Sequence, residues 1–371
     1  MTPMQPGFRV ISADSHVVEP LSLWSERAER RYRERVPRLV RELDGKVGNF
    51  VVCEDAMPVP LAAFSSAGMS AEELSAAFAR GEAGVRRGAY EPRARLEDMQ
   101  ADGIAAEVLY PSVALQLFRL GDGTLQAECF RVYNDWLAEY CMAARDCLVG
   151  VALISLFDVV AAVKEIERAR ELGLSGAMIW GAPPAGDSYA SERYDRVWAA
   201  AAAAGLPLSL HLGTNRELAA PGESIAVAYM LTILPVQRAL SQLILGGVLE
   251  RYRDLRFVSV ENEVGWLPHF LARMDHGAEK YRAVSSLTLA MRPSEYFHRQ
   301  IFATFQEDRI GIEARARIGV GNLMWASDYP HSDSTWPRSR EVIARDFAGV
   351  PEDERAMILG GNVARLYGID A

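Results

Sequence analysis

Short apolar, β-branched runs alternate with stretches of helical periodicity along this chain, and no other feature restricts its fold as much. A strand, a helix and a further strand can share one sheet only if the strands run parallel and the helix crosses over its face. Eight such runs occur: Arg9–Ala13, Ile104–Tyr110, Leu148–Ile154, Gly176–Trp180, Pro207–His211, Arg256–Glu261, Gln300–Thr304 and Asn322–Ser327. Between them Thr124–Arg145, Asp158–Leu172, Tyr194–Ala204, Val236–Glu250, Trp266–Arg282 and Arg309–Gly319 read as helices, with Pro351–Tyr367 closing the chain. Eight β–α units predict an α/β fold of the (β/α)8 (TIM) barrel type, which in its plain form takes roughly 250 residues. The 371 residues exceed that, and the surplus lies mostly between Asp14 and Ile104. We therefore read 1–371 as a single barrel domain, with 20–100 as an insertion or arm after the first strand. Within the arm, Trp24–Arg41 reads as a basic helical stretch, Asp44–Met69 as a Pro/Gly-punctuated turn region and Ala71–Arg80 as a short amphipathic helix.

Half the residues are apolar and 24% are charged, which excludes extensive disorder. With 40 Lys+Arg against 49 Asp+Glu the net charge is −9, and the basic residues are interleaved with acids, so nucleic acid is not an expected partner. Cys53, Cys129, Cys141 and Cys147 contain no CxxC pair and read as free thiols of a reducing compartment. The opening MTPMQPGFRVISADSHVVEP has no apolar run behind a basic start, so the expectation is a cytoplasmic protein. Ile225–Leu249 is apolar but interrupted by Pro235, Gln237, Arg238 and Gln242, and reads as a buried helix pair rather than a membrane span. This stretch and the arm at 20–90 need cover, so a homodimer is expected.

Barrel enzymes carry their working groups at the C-terminal ends of the strands, where the loops converge on one mouth. Those ends carry Asp14 and His16 after the first run, then Tyr110, Trp180, His211, Glu261, Thr304 and Asp328. Alternation along an extended chain sends Asp14 and His16 to the same side. Taken singly, each has a plain reading: Asp14 or Asp328 as a turn cap, His211 as a core histidine bonded to a carbonyl. Together Asp14, His16, His211 and Asp328 supply two carboxylates and two imidazoles from three strand ends. That mixed N/O set suits one divalent cation, with Zn2+ the first expectation and Mn2+ the second.

This arrangement resembles the amidohydrolase superfamily, and within it the branch containing aminocarboxymuconate-semialdehyde decarboxylase and the γ-resorcylate and 5-carboxyvanillate decarboxylases. The resemblance runs through ISADSHVVEP, RLEDMQADGIAAEVLYPS, GVLERYRDLRFVSVENEVGWLP and MWASDYPHSDSTWP, which together span nearly the whole chain. It implies a barrel of the metal-dependent hydrolase type in which Asp14, His16, His211 and Asp328 are metal ligands and Asp328 also accepts a proton from bound water. Two departures stand out. Relatives begin with HxH or ExH where this chain has Asp14, and they carry a histidine after the sixth strand where this chain has Glu261.

The resemblance implies a metal-dependent enzyme, with non-oxidative decarboxylation of a small carboxylated aromatic or muconate-like compound as the leading reaction. Hydrolysis of a C–N, C–O or activated C–C bond is the alternative, encouraged by Glu261, and a ligand-binding barrel without turnover is the third reading. Asp328, Glu261 and His331 are the expected catalytic groups, and a small molecule is the expected partner. Arg216 is placed to clamp a substrate carboxylate, or is a solvated loop charge; Trp180 and Trp336 wall an aromatic pocket, or pack beneath loops. Glu19, three after His16, is either an extra ligand or, the favoured reading, a cap for the turn before Leu21, and His269, His276 and His298 are assigned no role.

Overall fold

Seven of the eight apolar runs hold a strand within two residues of the expected limits, because their side chains are buried on both faces and only a covered parallel sheet provides that. The computed structural model describes residues 7–56, 58–215, 224–284 and 289–370. In chain order the strands are β1 (Ile11–Val17), β2 (Arg38–Leu43), β3 (Lys46–Val52), β4 (Val59–Pro60), β5 (Ala106–Pro111), β6 (Leu148–Leu153), β7 (Gly176–Ile179), β8 (Leu208–His211), β9 (Phe257–Val260), β10 (Ile301–Phe305) and β11 (Leu323–Trp325). Eight of them pair in the order β1–β5–β6–β7–β8–β9–β10–β11, all parallel, and helices connect them. The ring closes just beyond β11, where Asp328 N donates to Asp14 O at 2.9 Å and His16 N to Tyr329 O at 2.6 Å. The expected (β/α)8 barrel is present, and its seam is bridged at the residues singled out for chemistry.

The first strand departs from the expectation. It begins at Ile11 and continues to Val17, so Asp14 and His16 lie inside it. Pairing with β5 extends it: Ser12 faces Glu107, and after a shift of register Ser15 faces Leu109, His16 faces Tyr110 and Val17 faces Pro111. The shift inserts one residue, a bulge of the kind that re-aims side chains beside active sites.

Between β1 and β5 the chain forms a small antiparallel sheet, β2–β3–β4, and several short helices. The helical reading of Trp24–Arg41 is corrected: helix covers only Ser22–Arg27, and β2 begins at Arg38. The backbone turns extended at Ala28, with ψ of 151°, and Pro37 further disfavours helix at Val36, just before β2. The turn region Asp44–Met69 likewise contains β3, β4 and a 3-10 turn at Leu61–Ser65. Ala71–Arg80 is a helix as expected, with Ser70 and Glu73 forming a reciprocal capping box. The helix Pro92–Asp102, left unassigned by periodicity, leads into β5 and stops at Gly103, whose φ of 80° few other residues tolerate.

The reading of Ile225–Leu249 as a buried pair is also corrected. Ala226–Leu245 is long and apolar enough to cross a membrane, yet the helix breaks between Met230 and Ile233. Val236, Ala239, Leu240, Leu243 and Ile244 pack into the core, whereas Val227, Tyr229, Met230, Leu231 and Leu234 are exposed.

Candidate metal centre

The β1 bulge, the end of β8 and the turn after β11 converge on one point. Asp14, His16, His211 and Asp328 are each no more than 1% exposed. His16 Nε2 lies 3.3 Å from Asp14 Oδ1 and 3.2 Å from Asp328 Oδ1, and His211 Nε2 lies 3.6 Å from Asp14 Oδ1. One donor atom from each of Asp14, His16, His211 and Glu261 falls within 4.8 Å of the others. Asp328 and Glu261 reach the cluster from left-handed backbone, with φ of 54° and 59°. Ordinary side chains occupy that region at a cost of order 1–3 kcal/mol, and such strain is concentrated at functional sites. Gly181, at the end of β7, permits the close approach to β8: a Cβ there would stand 2.9 Å from His211 O.

The two histidines are fixed in one tautomer. His16 Nδ1 donates to Pro111 O at 2.6 Å and His211 Nδ1 to Leu212 O at 2.9 Å, which leaves the Nε2 lone pairs facing the carboxylates. Both Nε2 atoms and all four carboxylate oxygens of Asp14 and Asp328 are buried without a hydrogen-bond partner. Leaving one such group unpaired costs about 1–3 kcal/mol, so six at one point, with only long His–Asp contacts among themselves, suit a common partner. Two imidazole nitrogens with carboxylate oxygens fit a divalent cation, and this is a divalent metal site.

Electrostatics agree with that reading. Burial alone would raise the Asp14 and Asp328 carboxyls, but the imidazoles around them, His211 and His16 for Asp14 and His331 and His16 for Asp328, hold both below the usual carboxylate range. Burial works against a charged His16, yet Asp14 and Asp328 raise it well above a free imidazole. A proton and a metal cation compete for that same Nε2 lone pair. Glu261 moves the other way: burial first, then the charges of Asp328 and Asp14, push its carboxyl well above the ordinary range. Its Oε2 lies 3.5 Å from His211 Nδ1.

His331 joins the cluster. Its ring lies 3.9 Å from that of His16, Nδ1 is 3.2 Å from Asp328 Oδ1, and Nε2 is 3.0 Å from Ser112 Oγ. Burial and the neighbouring His16 lower its pKa. The other expected residues divide. Trp180 is buried, donates from Nε1 to Phe118 O at 3.1 Å and packs edge-on against Phe157, so it supports loops. Trp336 lies under the Arg86 guanidinium, 4.0 Å from its ring, and donates to Asp98 O at 3.3 Å, which ties it to the helix Pro92–Asp102. Arg216 lies outside the described residues. Tyr110 faces inward, bonding Ser209 Oγ at 2.9 Å, and Thr304 Oγ1 accepts from Glu261 N at 2.9 Å. Glu19 caps a different turn from the one expected: its carboxylate accepts the backbone N–H groups of Ser112, Val113 and Ala114, anchoring the loop after β5.

One residue missed by sequence reading stands at the mouth. Arg119 ends the 3-10 turn Ala114–Arg119 after β5, contacts Gln116 Oε1, and donates to Gly213 O, just beyond His211, at 3.0 Å. Its Nε is buried and unpaired, and among the described residues no carboxylate stands within ion-pair reach. Burial lowers its pKa to about 10, so it stays cationic at neutral pH.

A family model described as amidohydrolase matches residues 71–369. The chain belongs to the amidohydrolase family. Comparison with curated proteins finds no match. Among solved structures, this amidohydrolase resembles an amidohydrolase of Mycobacterium avium subsp. paratuberculosis, at 21% identity, 98% and 100% coverage of the two chains and a TM-score of 0.76. It also resembles 5-carboxyvanillate decarboxylase of Sphingomonas paucimobilis, at 22% identity, 98% and 100% coverage and a TM-score of 0.69. A third neighbour is the 5-carboxyvanillate decarboxylase of Novosphingobium aromaticivorans complexed with manganese and 4-hydroxy-3-methoxy-5-nitrobenzoic acid, at 18% identity, 98% and 96% coverage and a TM-score of 0.70.

Proposed function

We propose that this amidohydrolase is a metal-dependent carboxy-lyase that removes CO2 from a small carboxylated aromatic or muconate-like compound. The observation that carries the reading is the set of six unpaired, buried donor atoms on Asp14, His16, His211 and Asp328 at the barrel rim. These four residues would hold the ion. A divalent metal, when bound, supplies a Lewis acid that grips carboxylate and phenolate oxygens and stabilises charge developing beside them. The chain's own groups supply the rest. Arg119, which pairs with no carboxylate among the described residues, receives an anionic part of the substrate and orients it.

Decarboxylation needs an acid, since the C–C bond breaks with its electron pair left on carbon and a proton must arrive there. Glu261, whose carboxyl burial and neighbouring acids push well above the ordinary range, is suited to give it. The ionised Glu261 then regains a proton from solvent, and His331, bonded to Ser112 Oγ, holds the orientation of Asp328. The same Glu261 that departs from the histidine of relatives therefore supports the lyase reading. The hydrolytic alternative is favoured by one observation: Asp328 is held ionised and can act as a base.

Two imidazoles among oxygen donors suit Zn2+, while the manganese of the Novosphingobium neighbour supports Mn2+. The four free cysteines support a reducing, cytoplasmic setting, and exposed Val227, Tyr229 and Met230 support a homodimer. Metal content is measured by elemental analysis after mild purification. The metal-loaded protein is then incubated in 18O-water with aromatic mono- and dicarboxylates. The lyase reading expects CO2 release with no 18O in the remaining product; 18O-labelled product without CO2 overturns it.

A further inference from the structure

We propose that Arg95, on the helix Pro92–Asp102, is a positioning residue that sets metal affinity by gripping His16 and the β1 bulge; the inference rests on the metal-dependent reading above. A bulge forfeits ladder hydrogen bonds, so the strand that aims Asp14 and His16 needs other anchors. His16 is gripped at three points. Its N–H donates to Tyr329 O, its Nδ1 donates to Pro111 O, and its carbonyl accepts from Arg95 Nη1 at 2.6 Å. Only Nε2, the atom turned toward Asp14 and Asp328, is left free.

Arg95 makes this grip from a fully buried side chain. Its guanidinium pairs with the buried Glu107 of β5 and lies 4.6 Å from the ring of Tyr329, the residue that follows Asp328. Glu107 in turn accepts from Ser15 Oγ at 3.2 Å, and Ser15 bonds Ser12 Oγ at 2.9 Å, so the pair reaches both ends of the register shift. One turn further along the helix Asp98 accepts from Tyr329 Oη at 2.6 Å, and two turns along Asp102 accepts from Ser339 N at 3.0 Å. The last helix of the arm thus braces β1 and the segment after β11, which meet at the seam. A buried ion pair is no better for stability than well-packed apolar residues, so its contribution here is geometric: a planar fork reaches a carboxylate and a carbonyl at once.

Arg95→Lys keeps the charge opposite Glu107 but loses the fork, and Ser15→Ala removes the hydroxyl between Glu107 and the bulge without stranding a charge. Both full-length proteins are titrated with Co2+ and Mn2+, with folding followed by far-UV circular dichroism. Expected are a Kd at least tenfold weaker in folded Arg95→Lys, severalfold weaker in Ser15→Ala, and an altered Co2+ visible spectrum at saturation, a change that general destabilisation does not produce. If Arg95→Lys does not fold, Ser15→Ala decides. Wild-type affinity and spectrum in the folded variants overturn the role of Arg95 alone. A wild-type protein that takes up no divalent ion overturns the metal reading and this inference with it.

Discussion

Removing the metal tests the site most directly, because its buried donors then have only one another for partners. Under the proposed assignment, chelation leaves Asp14, His16, His211 and Asp328 as a buried cluster held only by its own His–Asp contacts. Metal at a hundredfold excess over its Kd stabilises the folded chain by about 2.7 kcal/mol. Unfolding entropy is about 2.1 cal/mol/K per residue, so for 371 residues it is about 0.8 kcal/mol/K, and the expected rise in Tm is about 3–4 °C. His211→Ala deletes one imidazole. If affinity falls about a hundredfold, the same metal concentration equals the variant's Kd, the stabilisation falls to about 0.4 kcal/mol, and the shift shrinks to about half a degree. Differential scanning calorimetry of both proteins, stripped and then reloaded at one fixed metal concentration, measures this. Equal shifts in wild type and His211→Ala refute the assignment of His211, and no shift in the wild type refutes the site.

Two further outcomes follow from charges near the mouth. Burial and Asp308 raise the Glu263 carboxyl from 4.5 to about 7. The folded state therefore holds that proton more tightly, and stability is lost as pH rises from about 4.5 to about 7, by at most about 3 kcal/mol. Glu263→Gln removes the loss, so urea melts of the two proteins should converge near pH 4 and favour the variant at pH 8; parallel curves would contradict the sign. Arg119→Met should raise KM tenfold or more with kcat changed less than threefold, since a hydrogen bond to a charged group contributes about 1.5–3 kcal/mol. Unchanged KM for every anionic substrate removes Arg119 from substrate binding.

Much of the site was legible because strand ends are. An apolar run that stops at a polar residue marks the barrel rim, and that rule alone brought out Asp14, His16, His211, Asp328 and Glu261. His331 carried a weaker signal, three residues past Asp328, and joined the cluster only through the fold of its loop. Arg119 and Arg95 gave no local signal: Arg95 sits in a helix rich in charges, Arg119 is the single charge closing an apolar turn, and nothing in the neighbouring residues says that either is buried. The helix read across Trp24–Arg41 stops at Arg27, where Ala28 turns extended, and Pro37 disfavours its resumption before β2.

The alternation of strand and helix, the number of barrel strands and the residue types at their ends are consequences of patterning over a few residues, and the chain specifies them locally. The bulge in β1, the left-handed backbone at Asp328 and Glu261, and the meeting of Ser12 with Ser327 across 315 positions exist only when the ring closes. Periodicity acts between near neighbours, whereas a seam, a strained turn and a buried ion pair are set by groups that share no local sequence. Closing the barrel and assembling the metal centre are, in this protein, the same contact between β1 and the turn after β11.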